Sequence, residues 1–226
     1  MDPPVPPPLY GLDIETDTAA GGLDPRLSRI IAVAVAAPDR DIVLTGAEPG
    51  LLADLDQLVS GLASGVLVTW NGASFDLPYL ADRARRCGTR LALTLALDPS
   101  LPTRTPLPGH EGSYRGVWYG HRHLDAYRVY RNDLKRFLDV SCSLKSVAQL
   151  LGLPTTAVDA ARVHELTNDE LVAYVASDAR LAQAAAMARW PTAAPFVDPD
   201  PDRHPDPAPR DRKPRSVRHQ LLPSTP

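Results

Sequence analysis

The chain has 226 residues, with 44% hydrophobic and 23% charged side chains and a formal net charge of −3. This length suits one α/β domain with a sizeable core and excludes two large catalytic lobes. This charge excludes nucleic-acid binding through a strongly basic surface over the whole sequence. Binding through local basic patches or bridging cations stays possible. No apolar window is long enough for a membrane span and the first residues lack the pattern of a signal peptide, so we expect a cytoplasmic protein with no membrane partner.

The prolines divide the chain into three parts. Of the 24 prolines, five lie in the first eight residues and ten lie between Pro191 and Pro226. We expect a Pro-rich N-terminal extension over residues 1–8, a folded domain over 9–190 and a tail over 191–226. The tail is mostly Pro, Asp and Arg and buries too little apolar surface to offset chain entropy, which predicts disorder.

Hydrophobic periodicity predicts a mixed α/β sheet flanked by helices. The predicted strands cover residues 9–15, 29–37, 41–45, 66–70, 117–119 and 122–125. The predicted helices cover residues 51–62, from 75 or 76 to about 87, 126–137, 143–152 and 168–189. Residues 98–116, which are rich in Pro and Gly, are predicted to form an excursion or loop.

A pair of acids lies on the first predicted strand. Residues two apart in a strand share a face and stand ~6.6 Å apart, so Asp13 and Glu15 present their carboxylates side by side. Two such acids alone usually mark a solvent-facing edge. Here Leu12 and Ile14 indicate an interior strand, where carboxylates are costly unless a metal ion or hydrogen-bond donors neutralise them.

Three more polar residues occur at junctions or on a shared helix face. Asp76 lies where a strand ends and a helix begins, and taken singly it is better explained as a plain helix N-cap. Tyr174 and Asp178 are four residues apart on the last long helix, so their side chains are neighbours, as they would also be on an exposed face. The co-occurrence of these motifs in this order, rather than any single one, favours a shared site.

Together the motifs D-I-E, N-G-A-S-F-D and Y-V-A-S-D resemble the three exonuclease motifs of the DEDD family of 3′-5′ exonucleases, in the type with tyrosine in motif three. The resemblance is strongest to proofreading domains of B-family DNA polymerases and their stand-alone relatives. It covers about residues 8–190 and implies a ribonuclease H-like α/β fold. It also implies that the catalytic and metal-binding residues are Asp13, Glu15, Asp76 and Asp178, with Tyr174 as a further catalytic residue.

The resemblance implies a chemistry for these positions. Hydrolysis of a phosphodiester needs a hydroxide and neutralised charge on the attacking and leaving oxygens, which two cations ~3.5 to 4 Å apart can supply. Carboxylates suit Mg²⁺ or Mn²⁺ better than zinc. By resemblance, Asp13, Glu15 and Asp178 hold one ion, Asp13 bridges, Asp76 steadies the second ion, and Tyr174 orients the attacking water. The family pattern also suggests a pocket for the terminal nucleotide, lined by Leu12, Thr16, Asn71 and Phe75.

Four further features are ambiguous in the sequence. Asp125 resembles an accessory partner of the site, and Lys145 resembles a lysine directed at the scissile phosphate in some related domains, but both are equally explained as structural or surface groups. His121 and His123 share a strand face with Asp125, yet no fourth ligand at a zinc-like spacing follows. The arginines between Arg83 and Arg90 fit a solvated helix end or a phosphate contact.

The sequence thus predicts a two-metal-ion 3′-5′ exonuclease that acts on single-stranded DNA or RNA 3′ ends, with DNA favoured, and releases nucleoside 5′-monophosphates. Two alternatives stay open on the same fold: a non-catalytic nucleic-acid-binding module and a structure-selective endonuclease. No G-x-S-x-G elbow, Walker loop or G-x-G-x-x-G occurs, so esterase, nucleoside-triphosphatase and dinucleotide-binding functions have no support.

Overall fold

A computed structural model describes residues 5–19, 22–101, 103, 105–137, 141–156 and 160–198. Its strands are β1 Leu9–Thr16, β2 Ile30–Ala36, β3 Asp41–Thr45, β4 Val66–Thr69, β5 Thr94–Leu97, β6 Tyr114–Trp118 and β7 His121–Asp125. Its α-helices are α1 Glu48–Gly61, α2 Asp76–Cys87, α3 Ala126–Phe137, α4 Leu144–Leu150, α5 Asn168–Ala188 and α6 Trp190–Ala193. Within these ranges no helix is both long and apolar enough to cross a bilayer.

In the described residues the strands form one mixed sheet in the order β3-β2-β1-β4-β7-β6-β5. Strands β1, β4 and β7 are parallel to one another, whereas the outer strands pair antiparallel. The predicted α/β fold with a mixed sheet and flanking helices is therefore confirmed. The three parallel strands end at the same edge of the sheet, which is where open α/β sheets hold their ligands.

The side chains of β1 and β2 alternate between the two faces of the sheet and contribute to a separate hydrophobic core on each face. Tyr10, Leu12 and Ile14 of β1 pack with α1 and α2 on one face. On the other face, β2 presents small side chains, Ala32, Ala34 and Ala36, to α5. Small residues at this contact allow the helix axis to approach the sheet closely, so α5 is held directly over β1.

Gly11 marks the closest approach of α5 to the sheet. A Cβ atom built on Gly11 would lie 1.9 Å from the carbonyl oxygen of Ala179, so no other residue fits without moving the helix. Asp178 precedes Ala179 on α5, and Asp13 lies on the same face of β1 as Gly11. The glycine contact therefore sets the distance between two of the predicted metal ligands.

The predicted excursion is more ordered than the sequence pattern suggests. Strand β6 begins at Tyr114, within the predicted loop, and pairs antiparallel with β5. The Tyr114 amide donates to the carbonyl of Ala73, and the hydroxyls of Ser74 and Ser113 lie 2.6 Å apart. The end of the excursion is thus fixed against the loop that precedes α2.

The folded segment also continues past residue 190, where the sequence pattern places the start of a disordered tail. Trp190 and Ala193 of α6 are buried in the core beneath α3 and α5. A 3-10 turn follows, and the segment ends at Asp198, which is 4% exposed. The composition of the whole tail hides this segment, because the apolar residues that pack into the core, Ala193, Ala194, Phe196 and Val197, are outnumbered by Pro, Asp and Arg in the rest of residues 191–226. Residues 199–226 of the predicted tail and residues 1–4 of the predicted extension lie outside the described residues.

Candidate active site

Strand β1 presents the first two acids. Asp13 and Glu15 lie on the face of β1 that α5 covers, opposite the buried side chains of Leu12 and Ile14. Both acids are only partly exposed. The alternation of the strand therefore directs two carboxylates into the space between the sheet and α5 rather than into bulk solvent.

Helix α5 supplies Tyr174 and Asp178 to the same space. The helix begins with a capping box, in which the Thr167 hydroxyl accepts from the Glu170 amide and the Glu170 carboxylate accepts from the Thr167 amide. Carboxylate oxygens of Asp13, Glu15 and Asp178 all lie within 4.8 Å of one another. Among the described residues these three form the one cluster of potential ligands with this geometry.

Asp76 approaches this acidic cluster from the start of α2. It is 4% exposed, and its charge raises the pKa of both Asp13 and Glu15, as a neighbouring carboxylate does. Of the residues of β1, only Leu9, Tyr10 and Gly11 pair with β4, so the edge of β1 beyond Gly11 is open to Asp76. The Ile14 amide on that edge bonds to Asp76 and lowers its pKa. The residue preceding α2 is Phe75, so Asp76 is a first-turn residue and not the N-cap.

The pKa values of the four carboxyl groups are all raised. Burial is the largest cause at each site, and repulsion between the carboxylates adds to it at Asp13 and Glu15. The pKa of Glu15 rises from 4.5 to about 8, and that of Asp76 from 3.8 to about 7. Charges of one sign gathered away from water are costly unless a cation offsets them. The all-oxygen donor set fits Mg²⁺ or Mn²⁺, which take carboxylate and water ligands.

A lysine from α4 also reaches the cluster. Ser143 caps α4 by accepting the Ser146 amide, and the helix then presents Lys145 to α5. The Lys145 ammonium pairs with the Asp178 carboxylate and lies 4.8 Å from the centroid of the Tyr174 ring. The structure therefore places this predicted accessory residue in contact with two of the predicted catalytic residues.

The Tyr174 phenol lies beside the acids. Burial raises the pKa of Tyr174, and the nearby charges of Asp178, Glu15 and Asp13 raise it further. Tyr174 also hydrogen-bonds to Asp178, which lowers the pKa of that carboxyl group. A phenol with a raised pKa stays protonated at neutral pH, so it can hold a hydrogen bond but not act as a base.

Asp125, the other predicted accessory residue, organises the loop before α2. Its carboxylate accepts from the amides of Asn71 at 2.8 Å, Ala73 at 3.3 Å and Tyr127 at 3.1 Å. Asp125 also raises the pKa of Asp76. The side chain is 4% exposed and committed to backbone amides, so it positions the loop instead of facing the open side of the cluster.

The four predicted pocket residues differ in exposure. Leu12 is fully buried in the core and Thr16 is 4% exposed, with a hydrogen bond to Tyr79. Phe75 is half-buried, and its ring centroid lies 5.2 Å from that of Tyr79. Asn71 is exposed, in a left-handed conformation with φ of 67°. Asn71 and Phe75 thus have accessible surface, whereas Leu12 and Thr16 are buried.

The remaining residues considered from sequence have other roles. Arg83 is fixed by a bidentate ion pair with the buried Glu48, so it packs α2 against α1. The ring nitrogens of His123 lie 2.8 Å from the Thr69 hydroxyl and 3.4 Å from the Asp198 carboxylate. His121 lies 3.2 Å from the Val59 carbonyl. Both histidines therefore contact other protein groups, and within the described part of the chain they do not form a zinc site with Asp125.

Comparisons with known proteins agree with the fold. A family model described as the RNase H superfamily matches residues 11–166, which include Asp13, Glu15 and Asp76 and end before α5. The family B DNA polymerase from the hyperthermophilic archaeon Pyrobaculum calidifontis has a similar fold, with a TM-score of 0.60 and 23% sequence identity. That similarity covers 82% of this chain but only 25% of the polymerase chain. No curated protein matches the sequence.

Proposed function

Since the chain belongs to the RNase H superfamily, we propose that it hydrolyses phosphodiester bonds from the 3′ end of single-stranded nucleic acid and releases nucleoside 5′-monophosphates. The ribonuclease H-like superfamily that the motifs imply is confirmed by the same match, and the archaeal polymerase chain contains a region of similar fold. The observation that carries the proposed reaction is the convergence of Asp13, Glu15 and Asp178 within 4.8 Å, with Asp76 and Tyr174 beside them.

The carboxylates are assigned to two divalent cations. Asp13, Glu15 and Asp178 would hold one ion, and Asp13 with Asp76 would hold the second. When bound, Mg²⁺ or Mn²⁺ supplies a hydroxide at neutral pH and offsets charge on the attacking and leaving oxygens. The raised pKa values of Asp13 and Glu15 support this assignment, because a bound cation would offset both the cost of burying the charged carboxylates and their repulsion by the neighbouring acids.

Tyr174 is assigned the role of orienting the attacking water. Its raised pKa keeps the hydroxyl protonated, so the phenol would hold the water by a hydrogen bond in line with the scissile phosphate. Asp178 fixes the direction of that hydroxyl from one helical turn away. Orientation of this kind contributes chiefly in the transition state, where the water must lie close to the phosphorus.

The terminal nucleotide is assigned to the surface beside Asp76. Phe75 is half-buried and would stack on a base, a contact worth ~1 to 3 kcal/mol. Asn71, exposed on the same loop, would contact the sugar or phosphate. We favour DNA over RNA as the substrate, and the 2′-hydroxyl is the group that would tell the two apart.

The test uses 5′-labelled linear strands of DNA and RNA with the same sequence, together with circular single-stranded DNA. With Mg²⁺ or Mn²⁺, the wild-type protein should shorten the linear strands one nucleotide at a time from the 3′ end and leave the circle intact. An Asp178→Asn variant is the matched control and should leave all substrates intact. Cleavage of the circle would instead indicate an endonuclease, and binding without cleavage would indicate a non-catalytic module.

A further inference from the structure

Asp198 lies between strands β6 and β7, at the point where the two strands diverge. Strands β6 and β7 pair at Val117 with Arg122 and at Trp118 with His121, and then diverge. Beyond that point the His123 carbonyl accepts from the Asp198 amide at 2.8 Å, and the Gly116 amide donates to the Asp198 carboxylate at 3.0 Å. Asp198 thus supplies the partners that the two diverging strands no longer give each other.

A chain of polar contacts leads from Asp198 to the loop before α2. The Asp198 carboxylate lies 3.4 Å from Nδ1 of His123, and Nε2 of His123 lies 2.8 Å from the Thr69 hydroxyl. The Thr69 hydroxyl oxygen also accepts from the Gly72 amide at 3.1 Å. A carboxylate beside Nδ1 favours the proton on that nitrogen, which leaves Nε2 free to accept from Thr69.

This acid–histidine–hydroxyl order is also that of a nucleophilic triad, but burial excludes such a role here. Thr69 is fully buried, and His123 and Asp198 are 2% and 4% exposed. A Cβ atom on Gly72 would lie 2.2 Å from the Thr69 hydroxyl oxygen, so the loop backbone covers the hydroxyl completely. The contacts therefore serve to hold the backbone.

Side chains from the sheet fix three consecutive amides of the loop. Asp125 accepts from the amides of Asn71 and Ala73, and Thr69 accepts from the amide of Gly72 between them. The loop then leads directly into Phe75 and Asp76. A displacement of Gly72 would therefore also displace Asp76, whose carboxylate lies near those of Asp13 and Glu15.

We propose that Asp198, His123 and Thr69 form a buried relay that positions residues 71–73 and, through them, Asp76. Asp198 is a positioning residue that lies outside the acidic cluster, in the segment that follows the last long helix. The relay makes docking of residues 190–198 a requirement for an ordered site. Its effect on turnover presupposes the nuclease activity proposed above, whereas its effect on the loop does not.

The test measures exchange of the Gly72 amide proton by NMR together with turnover. Thr69→Val removes the hydroxyl at nearly constant volume, and Asp198→Asn removes the charge beside His123. In both variants we expect exchange at Gly72 at least about tenfold faster and kcat about 10 to 100-fold lower with little change in KM, as for other residues that orient a site. Thr69→Ser keeps the hydroxyl and should restore both quantities.

Glu48→Gln is the matched control for loss of a buried acid. Glu48 accepts from the Ile30 amide and from Arg83, and among the described residues it has no contact with Asp198, His123 or Thr69. This variant should leave Gly72 exchange and kcat unchanged even if the melting temperature falls. Unchanged Gly72 exchange in Thr69→Val or Asp198→Asn would overturn the relay. A wild-type protein without nuclease activity would overturn the proposed function instead, and the exchange rates would still decide the relay.

Discussion

The ammonium group of Lys145 is paired with the carboxylate of Asp178. Lys145 comes from α4 and Asp178 from α5, so the pair joins two helices at the acidic cluster. Burial raises the pKa of Asp178, whereas Lys145 lowers it. The lysine therefore favours the ionised carboxylate that a metal ion needs, and its contact with the Tyr174 ring steadies the phenol.

Replacing Lys145 should reduce turnover more than substrate affinity. Lys145→Met removes the ion pair and the contact with Tyr174, so we expect kcat to fall about 10 to 100-fold, the usual cost of losing a group that orients a ligand. Lys145→Arg keeps the charge and should recover part of the loss. Steady-state kinetics on a labelled single strand measures both, and a KM effect alone would assign the lysine to substrate binding.

Replacing Tyr174 by phenylalanine tests the orienting role of its hydroxyl. The ring and its packing stay, and only the hydrogen bond to Asp178 and the proposed hydrogen bond to the attacking water are lost. We expect kcat to fall by about 10² or more with KM nearly unchanged, because positioned water matters mainly in the transition state. An equal loss of affinity and turnover, measured on the same substrate, would argue against this role.

We expect that any side chain at Gly11, where β1 contacts α5, lowers the stability of the fold. Gly11→Ala places a Cβ atom against the carbonyl of Ala179, and we expect a loss of about 1 to 3 kcal/mol in the free energy of unfolding. Gly50→Ala is the control, since Gly50 lies in α1 with open space around it and should gain up to about 1 kcal/mol. Urea unfolding measures both, and equal stabilities of the two variants would contradict the close approach.

Local periodicity predicts most of the fold, whereas the candidate site residues depend on three motifs and on the family that those motifs resemble. Strand β3 has the predicted bounds, and α5 begins at the predicted Asn168. Order beyond residue 190 is not evident from composition, because the apolar residues between Ala193 and Val197 precede a long stretch of Pro, Asp and Arg. The contacts of Asp198 with Gly116 and His123 join residues that are distant in sequence. The early start of β6 was missed because glycine and proline mask the strand pattern of the excursion.

The local sequence pattern also does not predict the roles of Asp76 and Asp125. Asp76 fits an N-cap by its position, and only the tertiary structure places it beside the acids of β1. Asp125 looks from sequence like an accessory group and proves to hold backbone amides of the neighbouring loop. Asp76 and Asp125 thus have the same side chain but different roles, because the tertiary structure gives them different neighbours: the acids of β1 for Asp76 and backbone amides for Asp125.

The stability of the metal-free protein should fall as pH rises. The folded-state pKa of Glu15 is about 8 against 4.5, and that of Asp76 about 7 against 3.8, so between about pH 4 and 8 the folded state binds more protons than the unfolded state. Stability therefore decreases with pH over this range. Melting temperatures in EDTA should be lower at pH 8.5 than at pH 5, and Mn²⁺ should raise the value at pH 8.5.

Glu15→Gln is the matched variant for that pH effect. It removes one of the buried charges, so its melting temperature should depend less on pH and respond less to Mn²⁺. A wild-type protein whose melting temperature is independent of pH and of Mn²⁺ would contradict the coupling of these carboxyl groups to a metal ion.

The central claim is that the acidic cluster around Asp13 is a divalent-metal centre for hydrolysis from a 3′ end. The most direct measurement follows a 5′-labelled single strand incubated with Mn²⁺ and either wild-type protein or Asp13→Asn, with circular dichroism to verify that both are folded. We predict stepwise shortening from the 3′ end by the wild type, none in EDTA, and none by the folded variant. Equal digestion by the folded Asp13→Asn protein would contradict the account.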